Sequence, residues 1–155
     1  MSTNSLIEAL PTPTTGQPAI LILNGPNLIQ VGQREADIYG STPLVPYLEQ
    51  LARDTTEATI AIRYSHYEGA LIEYLYQAQE LGYQAVILNA GGYTHTSVAI
   101  ADTIRAISLL VIEVHISQPL ARESSLIAPY CRGSIAGFGV ASYDLALRAA
   151  LQLSR

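Results

Sequence analysis

Apolar and polar positions along the chain follow two periods in turn. Residues 19–23, AILIL, are an unbroken apolar run of strand length, the mark of a strand buried on both faces. TIAIRY (59–64), AVILN (85–89), LLVIEVHIS (109–117) and SIAGFGV (134–140) predict four more strands. Helical stretches lie between them. STPLVPYLEQLARD (41–54) predicts a helix capped by Thr42, with Pro43 at its first position and Pro46 within its first turn. SHYEGALIEYLYQAQELG (65–82) opens with Ser65-x-x-Glu68, the pattern of a capping box, and closes on Gly82. TSVAIADTIRAI (96–107) and SYDLALRAALQL (142–153) complete the set.

Strands alternating with helices at short intervals imply a parallel sheet covered on both faces. Five strands in a chain of this length predict one flavodoxin-like, doubly wound α/β domain over residues 19–155. Residues 1–18, MSTNSLIEALPTPTTGQP, are rich in Ser, Thr and Pro and read as a flexible tail, with LIEAL as the stretch that can tie it down. They carry no basic start and no long apolar core, so no secretory signal is expected.

Composition narrows the chemistry. The net charge is −5 with no basic run, which argues against a nucleic-acid partner. The apolar runs are only as long as strands, so no membrane span is expected. One cysteine, Cys131, has no partner for an internal disulfide, which fits a reducing cytoplasm, and it reads as structural. All eight basic residues are arginine. Schiff-base and P-loop lysines are therefore excluded. His66, His95 and His115 show no metal-binding spacing.

Ligands of doubly wound sheets bind at the carboxyl ends of the strands. Three polar stretches fall there. In VIEVHIS, period 2 puts Val111, Glu113, His115 and Ser117 on one face. A carboxylate in so apolar a strand is costly unless paired. Glu113 can hold and charge His115, raising its pKa and making it a general acid; the plainer reading is a structural Glu–His pair. NAGGYTHTS (89–97) combines a Gly-Gly turn, which lets a ligand approach the backbone, with Asn89 and His95. Its alternative is a tight turn in which Thr96 or Ser97 caps a helix. NGPNLIQVGQREADIYG (24–40) carries Arg34 five residues before Tyr39, between Gly32 and Gly40. A tyrosine of pKa ~10 is ionised about once in a thousand molecules at pH 7. An arginine beside it lowers that value by roughly 1–3 units, and each unit is tenfold in phenolate. Tyr39 is thus either an arginine-tuned base on a lid or an ordinary surface tyrosine. His66 reads as a helix-start residue rather than a catalyst.

Taken together, LNGPNL…G.RE..IYG, S.YEG.LI, LNAGGYTHTSVAI.D, IEVHIS and G.IAGFG…Y.LAL resemble the type II 3-dehydroquinate dehydratases, also called type II dehydroquinases, over about residues 19–150. The resemblance implies strand order 2-1-3-4-5, a homo-oligomer that is a dodecamer of trimers, and no metal or organic cofactor. It implies anti elimination of water from 3-dehydroquinate through an enolate, in the shikimate pathway or in quinate breakdown. On that pattern Tyr39 is the base, Arg34 activates it, Asn27 holds a water against the enolate oxygen, and His115, oriented by Glu113, is the acid. Asn89, Gly91 and His95 match the ring-hydroxyl pocket. Ile116 and Ser117 match the carboxylate site, and Asp102 matches a residue that reaches a neighbouring subunit.

The chain departs from the family pattern in three places. Ala36 stands where the family has Pro after the lid Arg-Glu. His66-Tyr67 replaces Asn-His. The segment after Arg122-Glu123, SSLIAP, is shorter than the family's and lacks its further arginine. Losing a charged hydrogen bond costs ~1.5–3 kcal/mol, which weakens an enzyme without abolishing its chemistry. That shortening leaves a second reading open, a paralogue that binds a small hydroxy-acid without turning it over.

Overall fold

The computed structural model describes residues 5–33, 35–119 and 123–155, with the backbone alone of Tyr39. Five strands, β1 (Ala19–Asn24), β2 (Thr59–Tyr64), β3 (Ala85–Asn89), β4 (Leu110–His115) and β5 (Gly133–Ala136), form one sheet in the order β2-β1-β3-β4-β5. Every pairing is parallel. The helices are α1 (Ala36–Tyr39), α2 (Leu44–Asp54), α3 (Glu68–Glu80), α4 (Val98–Ala106) and α5 (Ala141–Leu153). This is the doubly wound, flavodoxin-like arrangement that the alternation predicted.

The two-residue period of the strands sorts their side chains into two cores. Leu21, Leu23, Val86, Leu88 and Val111 face α3 and α4, where Leu71, Leu75, Ile100 and Ile104 meet them. Ile20, Ile22, Ile87, Ile112 and Val114 face α2 and α5, against Leu44, Leu48, Tyr143 and Leu147. By this alternation Glu113 and His115 point to the same side as Val111. Ahead of β1, contacts with α3 and β2 begin within LIEAL. Leu10 is buried and its N–H donates to Gln77 Oε1 at 2.7 Å, while Arg63 donates to the Ala9 carbonyl at 2.8 Å.

Four local expectations are corrected. Thr42 does not cap α2. Pro43, in extended conformation, precedes Leu44 directly, and Pro46 becomes the third helical residue. Proline is tolerated there because the first N–H groups of a helix have no partner inside it. Ser65 and Glu68 form no capping box, because α3 begins at Glu68 itself; Ser65 Oγ accepts the Tyr67 N–H at 3.0 Å instead. The fifth strand ends at Ala136 rather than running to 140. Gly137 and Gly139 adopt left-handed conformations (φ +94° and +63°) that turn the chain into α5. The stretch 35–40, which no predicted element covers, contains the single helical turn α1. Gly82 does stand in left-handed conformation (φ +82°) beyond the end of α3, as its place in the sequence predicts.

Candidate active site

The carboxyl ends of β1, β3 and β4 converge, and the way β1 and β3 meet is set by glycine. Gly25 donates its N–H to the Asn89 carbonyl at 2.7 Å. A methyl group on Gly25 would stand 2.5 Å from the Ala90 carbonyl oxygen, so only glycine permits the two loops to touch. Gly91 (φ +58°) approaches the Pro26 carbonyl less tightly, at 3.0 Å from where its Cβ would be. These glycines serve loop-on-loop packing first. Gly92 has open space on its Cβ side, and with Gly91 it lines a cavity of about 510 Å³.

That cavity lies in the size range of small-molecule sites. Asn27, Asn89, Gly91, His95, His115, Ile116 and Ser117 all line it, so the polar residues at the three strand ends do share one site. Glu35 and Ile38 line it from the segment around α1, and Glu123 from the segment after β4. Arg34 lies outside the described residues, as does the side chain of Tyr39. Asp102 is not a lining residue. It sits on the exposed face of α4, 3.4 Å from Arg105.

Glu113 stands behind the cavity wall. It is fully buried, and three donors converge on it. His115 Nε2–H donates to Oε1 at 2.7 Å, Ser125 Oγ to Oε1 at 2.7 Å, and Ser134 Oγ to Oε2 at 2.7 Å. Burial pushes its carboxyl up. The hydrogen bonds from His115, Ser134 and Ser125, with the charge of His115, outweigh burial and hold the carboxyl below its usual range. A buried carboxylate that accepts three hydrogen bonds in this way is a stable anion. Because Nε2 is committed to Glu113, Nδ1 is the ring nitrogen of His115 left to exchange a proton with a ligand.

His95 is fixed by a different partner. Its Nδ1 lies 2.7 Å from the Ser124 carbonyl oxygen, which can only accept, so Nδ1 carries hydrogen. In the neutral ring Nε2 is then an acceptor suited to a hydroxyl group. Ser97 caps α4 by accepting the Ile100 N–H at 2.9 Å, so the capping role proposed for this stretch and its role in the cavity coexist. Asn27 is held in left-handed conformation (φ +68°), and its N–H donates to His66 Nδ1 at 3.2 Å. His66 therefore braces the loop after β1 rather than starting a helix, and its carbonyl accepts the Tyr93 hydroxyl at 2.9 Å.

Several contributing residues escaped the sequence reading. Tyr143, fully buried on α5, accepts from Asn89 Nδ2 at 2.9 Å and donates to Asn24 Oδ1 at 2.7 Å. Asn89 Oδ1 in turn accepts the Gly91 N–H at 3.2 Å, which sets the orientation of the amide. Ser134 is the direct register neighbour of Glu113, a pairing that neither segment reveals alone. Ser125 comes from the segment that follows β4. The remaining signal was the polar Asn24 at the end of a wholly apolar strand, a residue that needs a buried partner. Cys131 is partly buried. Burial, aided by the charge of Glu113, pushes its thiol up to about 12, which makes it an inert residue. Among the described residues no group of three His, Cys, Asp or Glu side chains is placed to hold a metal ion.

Comparison with known proteins places this arrangement in context. The model of the class II dehydroquinase family matches residues 18–151. A 3-dehydroquinate dehydratase of Exiguobacterium is 46% identical over 138 residues, covering 86% of this chain and 94% of the relative. One of Rhizobium johnstonii is 47% identical over 136 residues, covering 84% and 93%. Among solved structures, the type II dehydroquinase of Butyrivibrio crossotus superposes with a TM-score of 0.79 at 35% identity, covering 86% of this chain and 97% of that one. That of Propionibacterium acnes gives 0.79 at 34% identity, covering 88% and 97%.

Proposed function

This chain belongs to the class II dehydroquinase family, and from that premise we propose how its cavity removes water from 3-dehydroquinate to leave 3-dehydroshikimate, a step of the shikimate pathway. The substrate carries a ketone at C3, acidic hydrogens at C2, and a hydroxyl and a carboxylate at C1. The base takes a C2 hydrogen as a proton, and the electron pair passes into the C3 carbonyl as an enolate. When the enolate collapses, C1=C2 forms and the C1–O bond breaks. A proton from the acid converts the departing hydroxide to water.

The observation that carries the assignment of the acid is the buried Glu113–His115 pair, 2.7 Å apart, with His115 at the cavity wall. His115 gives its Nδ1 proton to the leaving hydroxyl, and the Glu113 carboxylate keeps the imidazolium paired and oriented. Tyr39, activated by Arg34, is the base. That role rests on the residue pattern of 34–39 and is supported by Glu35 and Ile38, which bring the same segment to the cavity. Asn27 holds a water against the enolate oxygen, so the charge that develops meets a donor in place. His95 Nε2 accepts from a ring hydroxyl, and Asn89 and Gly91 shape the wall beside it. Ile116 and Ser117, after the end of β4, receive the carboxylate. The relatives give no support to the reading of a retired hydroxy-acid binder.

We also propose that the protein works in the cytoplasm as a dodecamer of trimers, with Asp102 reaching across the trimer to a neighbouring site. Its exposed place on α4, beside Arg105, is compatible with such a contact. No helix among the described residues is long and apolar enough to cross a membrane.

The test is direct. Purified protein is mixed with 3-dehydroquinate and the ultraviolet absorbance of the conjugated product is followed. A flat trace at high enzyme concentration defeats the assignment. Tyr39→Phe is expected to remove most turnover while leaving substrate binding little changed; unaltered turnover would exclude Tyr39 as the base. Light scattering of the wild type reads the oligomeric state.

A further inference from the structure

Three consecutive residues of the segment after β4 tie the site together. The Ser124 carbonyl accepts the His95 Nδ1–H at 2.7 Å. The Ser125 hydroxyl donates to Glu113 Oε1 at 2.7 Å. The Leu126 N–H donates to the Thr94 carbonyl at 2.9 Å. One short stretch of backbone thus grips the turn carrying His95 and the carboxylate carrying His115.

The Ser125 hydroxyl has its direction imposed. The Ala128 N–H donates to its oxygen at 3.0 Å, so one lone pair is occupied and the hydrogen is left to point at Glu113. It meets the same carboxylate oxygen that receives His115 Nε2–H. Ser134 also donates to Glu113, but to the other oxygen, Oε2, which does not touch the histidine. The two serines therefore differ in what they can do although they share a partner. Ser125 sets the position of the oxygen that steers His115, whereas Ser134 braces the far side.

We propose that Ser125 is a positioning residue for the dehydration, acting on His115 through Glu113 Oε1, and that the Ser124–Leu126 stretch holds both histidines in register as one clip. This rests on the assignment of His115 as the acid. Ser125 touches no substrate.

The experiment compares S125A, S134A and S125T with the wild type, reading kcat, KM and thermal unfolding. Removing one hydrogen bond to a charged group is worth about tenfold or more. S125A is therefore expected to lower kcat about tenfold with KM within about twofold, because the His95 side of the clip is made by backbone and persists. S134A, removing an equal bond from Oε2, is expected to lower kcat by no more than about threefold, and S125T to recover most of the loss because the hydroxyl is retained. A kcat for S125A within twofold of the wild type overturns the proposal. So does a loss equal to that of S134A, which would mean that each serine merely supports a buried carboxylate. A loss confined to KM overturns it as well. Should S125A and S125T both prove unfolded, S125C, whose thiol is a poor donor, takes their place: a kcat about tenfold below the wild type is then expected, and a normal kcat would overturn the proposal. A wild type that fails to turn over 3-dehydroquinate strikes at the function itself and is distinguished from these outcomes at the first measurement.

Discussion

Replacing Glu113 by glutamine keeps the size and planarity of the side chain and removes only its charge. Glutamine can preserve the geometry. Its oxygen at the Oε1 position still accepts from His115 and Ser125, and its NH2 at the Oε2 position donates to Ser134, whose hydroxyl turns its own hydrogen aside. No bond is lost, but none keeps an ionised acceptor. A hydrogen bond to a charged group contributes ~1.5–3 kcal/mol, against ~0.5–1.5 kcal/mol for a neutral one. The His115 bond thus weakens by about 1–1.5 kcal/mol, and a buried imidazolium loses its counter-charge. Turnover should fall about five- to twelvefold.

Stability supplies an independent check through its pH dependence. The Glu113 carboxyl is held below its usual range, so the folded protein binds this proton less tightly than the unfolded chain does. The carboxylate's contribution is complete above the unfolded value, ~4.3, and is lost as pH falls through the folded one. Glutamine has no such dependence. The stability of the wild type relative to E113Q should therefore fall as pH is lowered from about 6 to about 3, as read from urea midpoints at each pH. Initial rates from the product absorbance give kcat. A kcat for E113Q within twofold of wild type, or a stability difference that does not change with pH, would refute the reasoning.

Tyr143→Phe should leave Asn24 Oδ1 without its donor and Asn89 Nδ2 without its acceptor, both in the interior. At about 1–3 kcal/mol for each stranded group, a loss of roughly 2–6 kcal/mol is expected in urea unfolding. Gly25→Ala drives a methyl group onto the Ala90 backbone at 2.5 Å. It should cost on the order of 4 kcal/mol, read as a large drop in unfolding temperature or a failure to accumulate folded protein. Cys131, with its thiol pushed up to about 12, is a thiolate in about one molecule in ten thousand at pH 8, against roughly one in four for a free thiol of pKa ~8.5. Alkylation by iodoacetamide should be about a thousandfold slower in the native state than in urea, and equal rates would contradict its burial.

The fold was legible because burial on two faces leaves a plain mark. AILIL and AVILN cannot be surface strands, and a parallel pair needs a long crossover, which the helical stretches provide. The Glu113–His115 pair was legible for a related reason: a carboxylate inside an apolar strand needs a partner, and period 2 puts one two residues away on the same face. Helix ends were less legible. Thr42 and Ser65 are good caps by residue type, but α2 and α3 start where packing against the sheet begins, one residue and two residues later than those caps require.

Chemistry that repeats along one strand or opens one loop could thus be read from the chain alone, since neighbours in sequence supply both the cost and its remedy. What required the folded molecule was every partnership across elements. Ser134 meets Glu113 because β4 and β5 align in one register and not another. Ser125 reaches the same carboxylate from a connecting segment, and Tyr143 crosses from α5 to join the ends of β1 and β3. No period in the sequence encodes these meetings. They follow from the stacking of helices on the sheet, where residues far apart in the chain are forced together by shared burial.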